Sequence, residues 1–378
     1  MQLHLEKLSE LTHSFYEAAA EPSLWVPTLE KASTVFGADG SCIVAFPTSA
    51  IGAVWSRGLD DLAQSFFGEG WHENNERLAR ALPMRNSRPV MTESDLFSPE
   101  ELDRHPFNAE FINAHGFRWG AGCFLSQVDG WNTAFTVERH ANRERYGSAE
   151  LEAMRSILPH MRSAAQVASR LALARGDGML DAFEKMCCAA LLLGCTGKVN
   201  RYNPQTQRYL GRDIRIVQGC LTTCHKDSNA ALQRVIGGVL GAPHRLPAHN
   251  QMLAAITRRD HPDGRPFFAL GMPIIGAAQD VFQNAKAILL LIDPDAQSTP
   301  PELILRHGFS LTRAEVKLTL ALARGVTLSE YAGAHGIAVG TTRIQLKAIM
   351  AKTATHRQAE LLALLARLSL VPPQVAAE

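Results

Sequence analysis

GIAVGTTRIQLKAIMAK (Gly336–Lys352) carries three basic residues and no acidic one. At 100° per residue, Thr342, Leu346, Ile349 and Thr353 gather on one side of a helix, with Met350 at the border. Gly340, Arg343, Ile344, Lys347 and Ala351 fall opposite them. A small, basic face with a single isoleucine makes a poor core surface and a good groove-filling one. Thr341, Gln345 and Lys352 flank it with a hydroxyl, an amide and an ammonium that suit phosphate oxygens.

The surrounding sequence predicts a set of short helices. Thr312 with Glu315, Thr327 with Glu330, and Thr355 with Gln358 each read as a capping box. Leu311 can staple to Val316 and Val326 to Tyr331, while Gly325 and Gly336 stand where glycines end helices. Between Leu311 and Leu368 eight basic residues face three acidic ones, a net +5, whereas the whole chain carries only +1. The remainder is therefore acidic by four charges, an asymmetry that suits a basic DNA-binding head on a non-basic sensor.

LTRAEVKLTLALARGVTLSEYAGAHGIAVGTTRIQLKAIMAK (Leu311–Lys352) resembles the helix-turn-helix of LuxR-type transcriptional regulators. The matching positions are Leu311, Thr312, Glu315, Ala323, Gly325, Gly336, Ile337, Thr341, Arg343, Leu346, Ile349 and Lys352. The resemblance covers about 60 of 378 residues. It implies base reading by Arg343, Ile344 and Lys347, with backbone contacts from Thr341, Gln345 and Lys352. Two positions depart from the family: Ala338 stands where a serine usually caps the recognition helix, and Thr342 replaces a usual valine on its buried side.

Upstream, periodicity at Leu5, Leu8, Leu11 and Phe15 predicts an opening helix, and a second helix is expected over 23–36. SCIVAF, GCFLSQ and TAFTVERH read as strands, the last two flanking Asp129-Gly130-Trp131-Asn132 as a hairpin loop. A long helix follows, with Ser148 as N-cap, reaching about Leu173 before a stop at Gly176-Asp177-Gly178. Its stripe of Leu151, Met154, Ile157, Leu158 and Met161 suits pairing with its own copy or packing on its own domain. Next come AALLLG, a turn at Gly197, KVNRYN, a helix near 203–210, a turn at His261-Pro262-Asp263-Gly264-Arg265, then PFFALGMPI and AKAILLLI. This order resembles a PAS domain, and the first block is similar to GAF-like sensory modules. A linker is expected around Asp293–Pro301.

The expected fold class is multidomain α+β: a GAF-like module at 1–146, a connecting helix at 147–176, a PAS-like module at 181–296 and an all-α, four-helix LuxR-type domain at 306–370. The chain shows neither a secretory leader nor a membrane-length apolar run, and its seven cysteines follow no disulfide spacing, so a cytoplasmic location is expected. Cys220 and Cys224 with His225 have the wrong spacing for zinc, and Cys187, Cys188 and Cys195 read as packing residues with a redox role left open. Neither a metal nor a cofactor is expected. No nucleophile elbow or phosphate loop points to an enzyme. A receiver domain would need αβ repeats, which are missing. An acyl-homoserine lactone site is not supported either, because the acidic residue and proline expected after a Trp and Tyr pair are absent from HENNERLARALP, which follows Trp71.

The function expected is sequence-specific regulation of transcription by a homodimer on double-stranded DNA, governed by a small-molecule effector or partner, with RNA polymerase a candidate contact. The alternative is a regulator that works mainly through protein contacts, its DNA head weak or masked. Trp25, Trp55, Trp71, Trp119 and Trp131, with Phe66 and Phe67, are candidate pocket residues of the first block, core packing being the competing role.

Overall fold

The computed structural model describes residues 2–46, 52–128, 131–240, 252–260, 264–274, 281–282, 285–296 and 300–369. Two antiparallel sheets with flanking helices are followed by a helical C-terminal region, so the chain is α+β and multidomain.

Helices α1 (Gln2–Ala20) and α2 (Trp25–Val35) lead into strands β1 (Gly40–Phe46) and β2 (Gly52–Trp55). Four short helices follow, α3 (Asp60–Gly68), α4 (Glu76–Ala81), α5 (Glu93–Leu96) and α6 (Pro99–Arg104), with β3 (Met91–Thr92) just before α5. The long strands β4 (Phe117–Val128) and β5 (Trp131–His140) complete a sheet of order β2-β1-β5-β4-β3. Val128 pairs with Trp131 and Gln127 with Asn132. Trp131 and Asn132 thus belong to β5 rather than to the expected loop, while Asp129 and Gly130 lie outside the described residues. Leu11, Phe15, Trp25, Leu29 and Phe36 pack with Phe135 and Val137 on one face of this sheet. The opposite face is covered by the short helices.

Helix α7 (Ser148–Lys185) is longer than expected. Gly147, not Ser148, is its N-cap, and its N–H donates to Glu150 Oε2 at 2.8 Å. Gly176 and Gly178 do not stop it. A Cβ on Gly176 would sit 3.0 Å from Leu192 Cδ1, so this glycine serves close packing of the helix on the second sheet. One helix therefore belongs to two cores: Met154, Ile157, Leu158 and Met161 join the first, and Leu180 packs with Ala190, Leu192 and Ile288 of the second.

The second sheet has the order β10-β11-β12-β6-β7, from β6 (Ala189–Leu193), β7 (Val199–Tyr202), β10 (Leu253–Ile256), β11 (Phe267–Pro273) and β12 (Ala287–Ile292). A separate hairpin, β8 (Ile214–Val217) and β9 (Cys220–Thr223), precedes α8 (Lys226–Leu240). The helix expected near 203–210 is a shorter 3-10 turn, Pro204–Arg208, anchored by buried Asn203. Asn203 Oδ1 accepts from Ala190 N at 3.0 Å, and its Nδ2 donates to the Cys188 carbonyl at 2.7 Å. His261, Pro262 and Asp263 of the expected turn lie outside the described residues, as do 297–299 of the expected linker.

The C-terminal region comprises α9 (Arg313–Ala323), α10 (Leu328–His335), α11 (Val339–Lys352) and α12 (Gln358–Leu368). Both of the first two capping boxes form: Thr312 N–H donates to Glu315 Oε2 at 2.7 Å, and Thr327 N–H to Glu330 Oε2 at 2.8 Å. Gly325 and Gly336 adopt the left-handed backbone, φ +84° and +65°, that lets the chain turn after α9 and α10. The third box does not form. Arg357 is the N-cap of α12, the Thr355 hydroxyl instead meets that of Thr353 at 3.0 Å, and Glu360 reaches back to His356 N–H at 2.8 Å. Because a lost N-cap leaves a helix donor without its partner, Thr312→Ala is expected to destabilise this region by about 1 kcal/mol. A urea midpoint identical to that of the unaltered chain would count against it.

Candidate functional site

Between the first sheet and its short helices lies a partly open cavity of about 160 Å³. Its wall is aromatic along one side. Trp55, Phe66, Phe67 and Phe111 line it, with Phe66 stacked on Phe111 at 5.7 Å between centroids and edge-on to Phe67 at 5.1 Å. Leu59 from the turn before α3 and Leu62 from α3 itself extend the apolar surface.

Three charged side chains reach the same cavity from separate elements. Arg77 projects from α4, Glu93 opens α5, and Glu138 lies on β5. Their side chains are 17%, 5% and 5% exposed. Arg77 Nη1 donates to Glu138 Oε1 and Oε2 at 2.9 and 3.0 Å, and Nη2 pairs with Glu93. Arg77 Nε has no hydrogen-bond partner among the described residues. Burial pushes the Glu93 carboxyl up to about 7, against the pull of Arg77 and with help from Glu138.

Gly120 of β4 makes this arrangement fit. Its N–H donates to the Glu93 carboxylate, and a Cβ here would stand 2.8 Å from Glu93 Oε2 and 3.0 Å from Glu138 Oε2. Gly120→Ala is therefore expected to cost about 1–3 kcal/mol through overpacking against two buried carboxylates. Chemical denaturation checks this, and unchanged stability would mean that the carboxylates can step aside.

Cys42 and Cys123 also line the cavity. Burial pushes both thiols up to about 12, the Thr136 hydroxyl at 3.1 Å opposing it for Cys42 and the charge of Arg162 opposing it for Cys123. They stay protonated at neutral pH, so neither is poised as a nucleophile. The arrangement can bind an apolar body and orient a polar group.

The tryptophan expectations divide. Trp55 lines the cavity, and Trp71 stacks behind it on Phe111 at 5.5 Å. Trp25 is core, tilted against Phe282 at 5.1 Å. Trp119 lies outside the wall, its indole N–H on the Arg143 carbonyl at 2.9 Å. Arg77, Glu93, Glu138 and Gly120 were not anticipated from sequence. The one available signal is an arginine in the short helix after Trp71 together with a glutamate inside an apolar strand pattern, TAFTVERH.

The second surface is α11. Thr342, Leu346 and Ile349 are buried against α9 and α10, while Arg343, Ile344 and Lys347 are exposed, Ile344 by 73%. Ala338 provides no side-chain cap, and the Thr342 hydroxyl satisfies itself on the Val339 carbonyl at 2.7 Å. Thr341 is exposed in the first turn. The other two flanking residues also meet groups within the chain. Gln345 is half-buried, with Oε1 inside, and Lys352 Nζ donates to Glu315 Oε2 at 2.6 Å. Burial alone would raise the Glu315 carboxyl, but Lys352 and the Thr312 bonds prevail and hold it below its ordinary value. Lys352 thus ties the end of α11 to the start of α9.

The cysteines are scattered. Cys220 lies in β9, Cys224 follows it on the surface, Cys187 is exposed just after α7, and Cys188 and Cys195 are half-buried. Among the described residues no three metal-ligating side chains converge, and no helix is long and apolar enough to cross a membrane.

No protein-family model matches the chain, and no curated protein matches it. Among solved structures it is similar to the N-acylhomoserine lactone dependent LuxR family transcription factor CepR2 from Burkholderia cenocepacia, at 14% identity over 44% of this chain and 94% of that one, TM-score 0.35. It is also similar to the VqsR LBD domain from Pseudomonas aeruginosa, at 13% over 43% and 94%, TM-score 0.33. Escherichia coli SdiA aligns at 9% over 95% and 97%, TM-score 0.34. At these values the likeness says nothing of ligand or activity, so both surfaces are read from their own residues.

Proposed function

We propose that the chain is a sequence-specific, DNA-binding regulator of transcription whose first sheet domain senses a small molecule. The observation that carries this reading is α11, which turns Arg343, Ile344 and Lys347 outward opposite a fully buried Thr342 and Ile349. Such a helix enters a major groove with its cations on base edges and its isoleucine beside a thymine methyl. Thr341 and the net +5 of the C-terminal region supply backbone attraction. Gln345 and Lys352 complete the backbone contacts, Lys352 from a position where Glu315 also holds it.

The domain roles follow the sequence expectation: a GAF-like sensor at 1–146, a connecting helix from 147, a PAS-like module at 181–296 and a LuxR-type head at 306–370. In support of the PAS-like reading, β6, the Gly197 turn, β7, the Asn203-led turn and three closing strands occur in the expected order. A homodimer reads two half-sites about 34 Å apart, because one recognition helix spans only a few base pairs. RNA polymerase is the partner through which a bound activator would work, and the cytoplasm is where it would meet DNA.

Sequencing the fragments that the purified chain selects from random DNA, at two stated salt concentrations, tests the proposal. An enriched two-fold site, bound more weakly at the higher salt, is the expected result. Recovery of no site with or without small-molecule extracts, alongside salt-independent capture of one protein, would replace it with the protein-contact reading.

A further inference from the structure

The cavity holds two carboxyl groups and one guanidinium, so with both acids ionised it is one positive charge short, a shortage that a proton on Glu93 relieves near neutral pH. Among its described lining residues Arg77 is the sole cation. Both carboxyl groups pack against the bare backbone of Gly120, and Glu93 Oε1 is buried with no hydrogen-bond partner among the described residues. The rings of Trp55, Phe66, Phe67 and Phe111 line the same cavity. Carboxylates beside aromatic faces attract an organic cation twice over, by direct pairing and through the ring quadrupoles. An anionic head would instead meet two like charges.

We infer that the ligand of this cavity is a small organic cation, an amine on an aromatic or short aliphatic body, whose ammonium pairs with the Glu93 and Glu138 carboxylates from the cavity side, next to Arg77. This rests on reading the cavity as the ligand site. Size sets the class further. A cavity near 150 Å³ accommodates benzene, so about 160 Å³ holds a single ring with a short arm.

The test uses the full chain and four probes of one shape: 2-phenylethylamine, 2-phenylethanol, phenylacetate and ethylbenzene. Binding is read by tryptophan fluorescence, through Trp55, and by calorimetry. The amine is expected to bind at least ten-fold tighter than the alcohol, with phenylacetate weakest. Glu138→Gln is expected to erase the preference for the amine over the alcohol, and Glu93→Gln provides the same readout if the first variant does not fold. Equal or tighter binding of the alcohol or phenylacetate overturns the cationic ligand while leaving the cavity as a ligand site. If none of the four binds, ethylbenzene included, the ligand-site reading fails and the inference with it.

Discussion

Arg77→Ala is expected to lower the unfolding free energy by about 3–5 kcal/mol near pH 8, the range for leaving a buried ionic partner uncompensated. Two carboxylates would be stranded, each 5% exposed and close enough to share one guanidinium. Glu93 faces Arg77 on α4 and Glu138 on β5, with the Tyr146 phenol in electrostatic range. The sign of the pH dependence follows from the direction of its shift. Its carboxyl is raised from 4.5 to about 7 in the folded protein, so the fold holds this proton more tightly than the unfolded chain does. The associated stability is fully present below pH 4.5 and is lost as the pH rises through 7.

Arg77 pulls that value down, so its removal should push the loss to higher pH and enlarge it. Glu93→Gln should flatten the dependence, because an amide does not titrate. Urea unfolding at pH 5, 6, 7 and 8 separates the three chains. Parallel pH profiles for the parent and Arg77→Ala would show that the guanidinium does not hold these carboxylates.

The double variant Arg343→Ala, Lys347→Ala is expected to weaken specific DNA binding by roughly 10²–10⁴-fold, from about 1–3 kcal/mol for each base contact. Both side chains are exposed, so stability should stay within about 0.5 kcal/mol of the parent. Lys352→Ala provides the contrast. Its ammonium binds Glu315, the residue that caps α9, so this change should reduce stability before it reduces affinity. Competition against the selected site and a scrambled duplex measures discrimination, and thermal unfolding measures the fold. Undiminished discrimination in the double variant would remove α11 from the reading role.

Legibility in the sequence followed the range of the interactions. The helices of the C-terminal region were readable because Thr312–Glu315 and Thr327–Glu330 are caps closed within four residues, and because the buried positions of α11 repeat at helical spacing. The third cap misled. Ala354 takes a positive φ of 51°, which carries Thr355 away from the helix start and gives that position to Arg357. At Gly176 the local signal for a stop lost to tertiary packing, since the space beside Leu192 favours glycine within a continuous helix. The cavity was unreadable for a different reason. Arg77, Glu93, Gly120 and Glu138 lie on four elements, brought together only by the β3-β4-β5 pairing and by α4 folding across it. In NERLARALP the arginine looks like one more solvated helix charge.

The 38 residues of α7 span about 57 Å at the usual helical rise. A rod of that length is a lever. Pivoted where Met154 and Met161 sit on the first sheet, a tilt of some 5° moves the Gly176 contact beside Leu192, about 28 Å along the helix, by roughly 2 Å. Adjustments too small to notice around a single-ring guest would thus be magnified, at the other end, into a shift large enough to strain a close-packed contact. Gly176 and Leu192 meet where that shift would be felt.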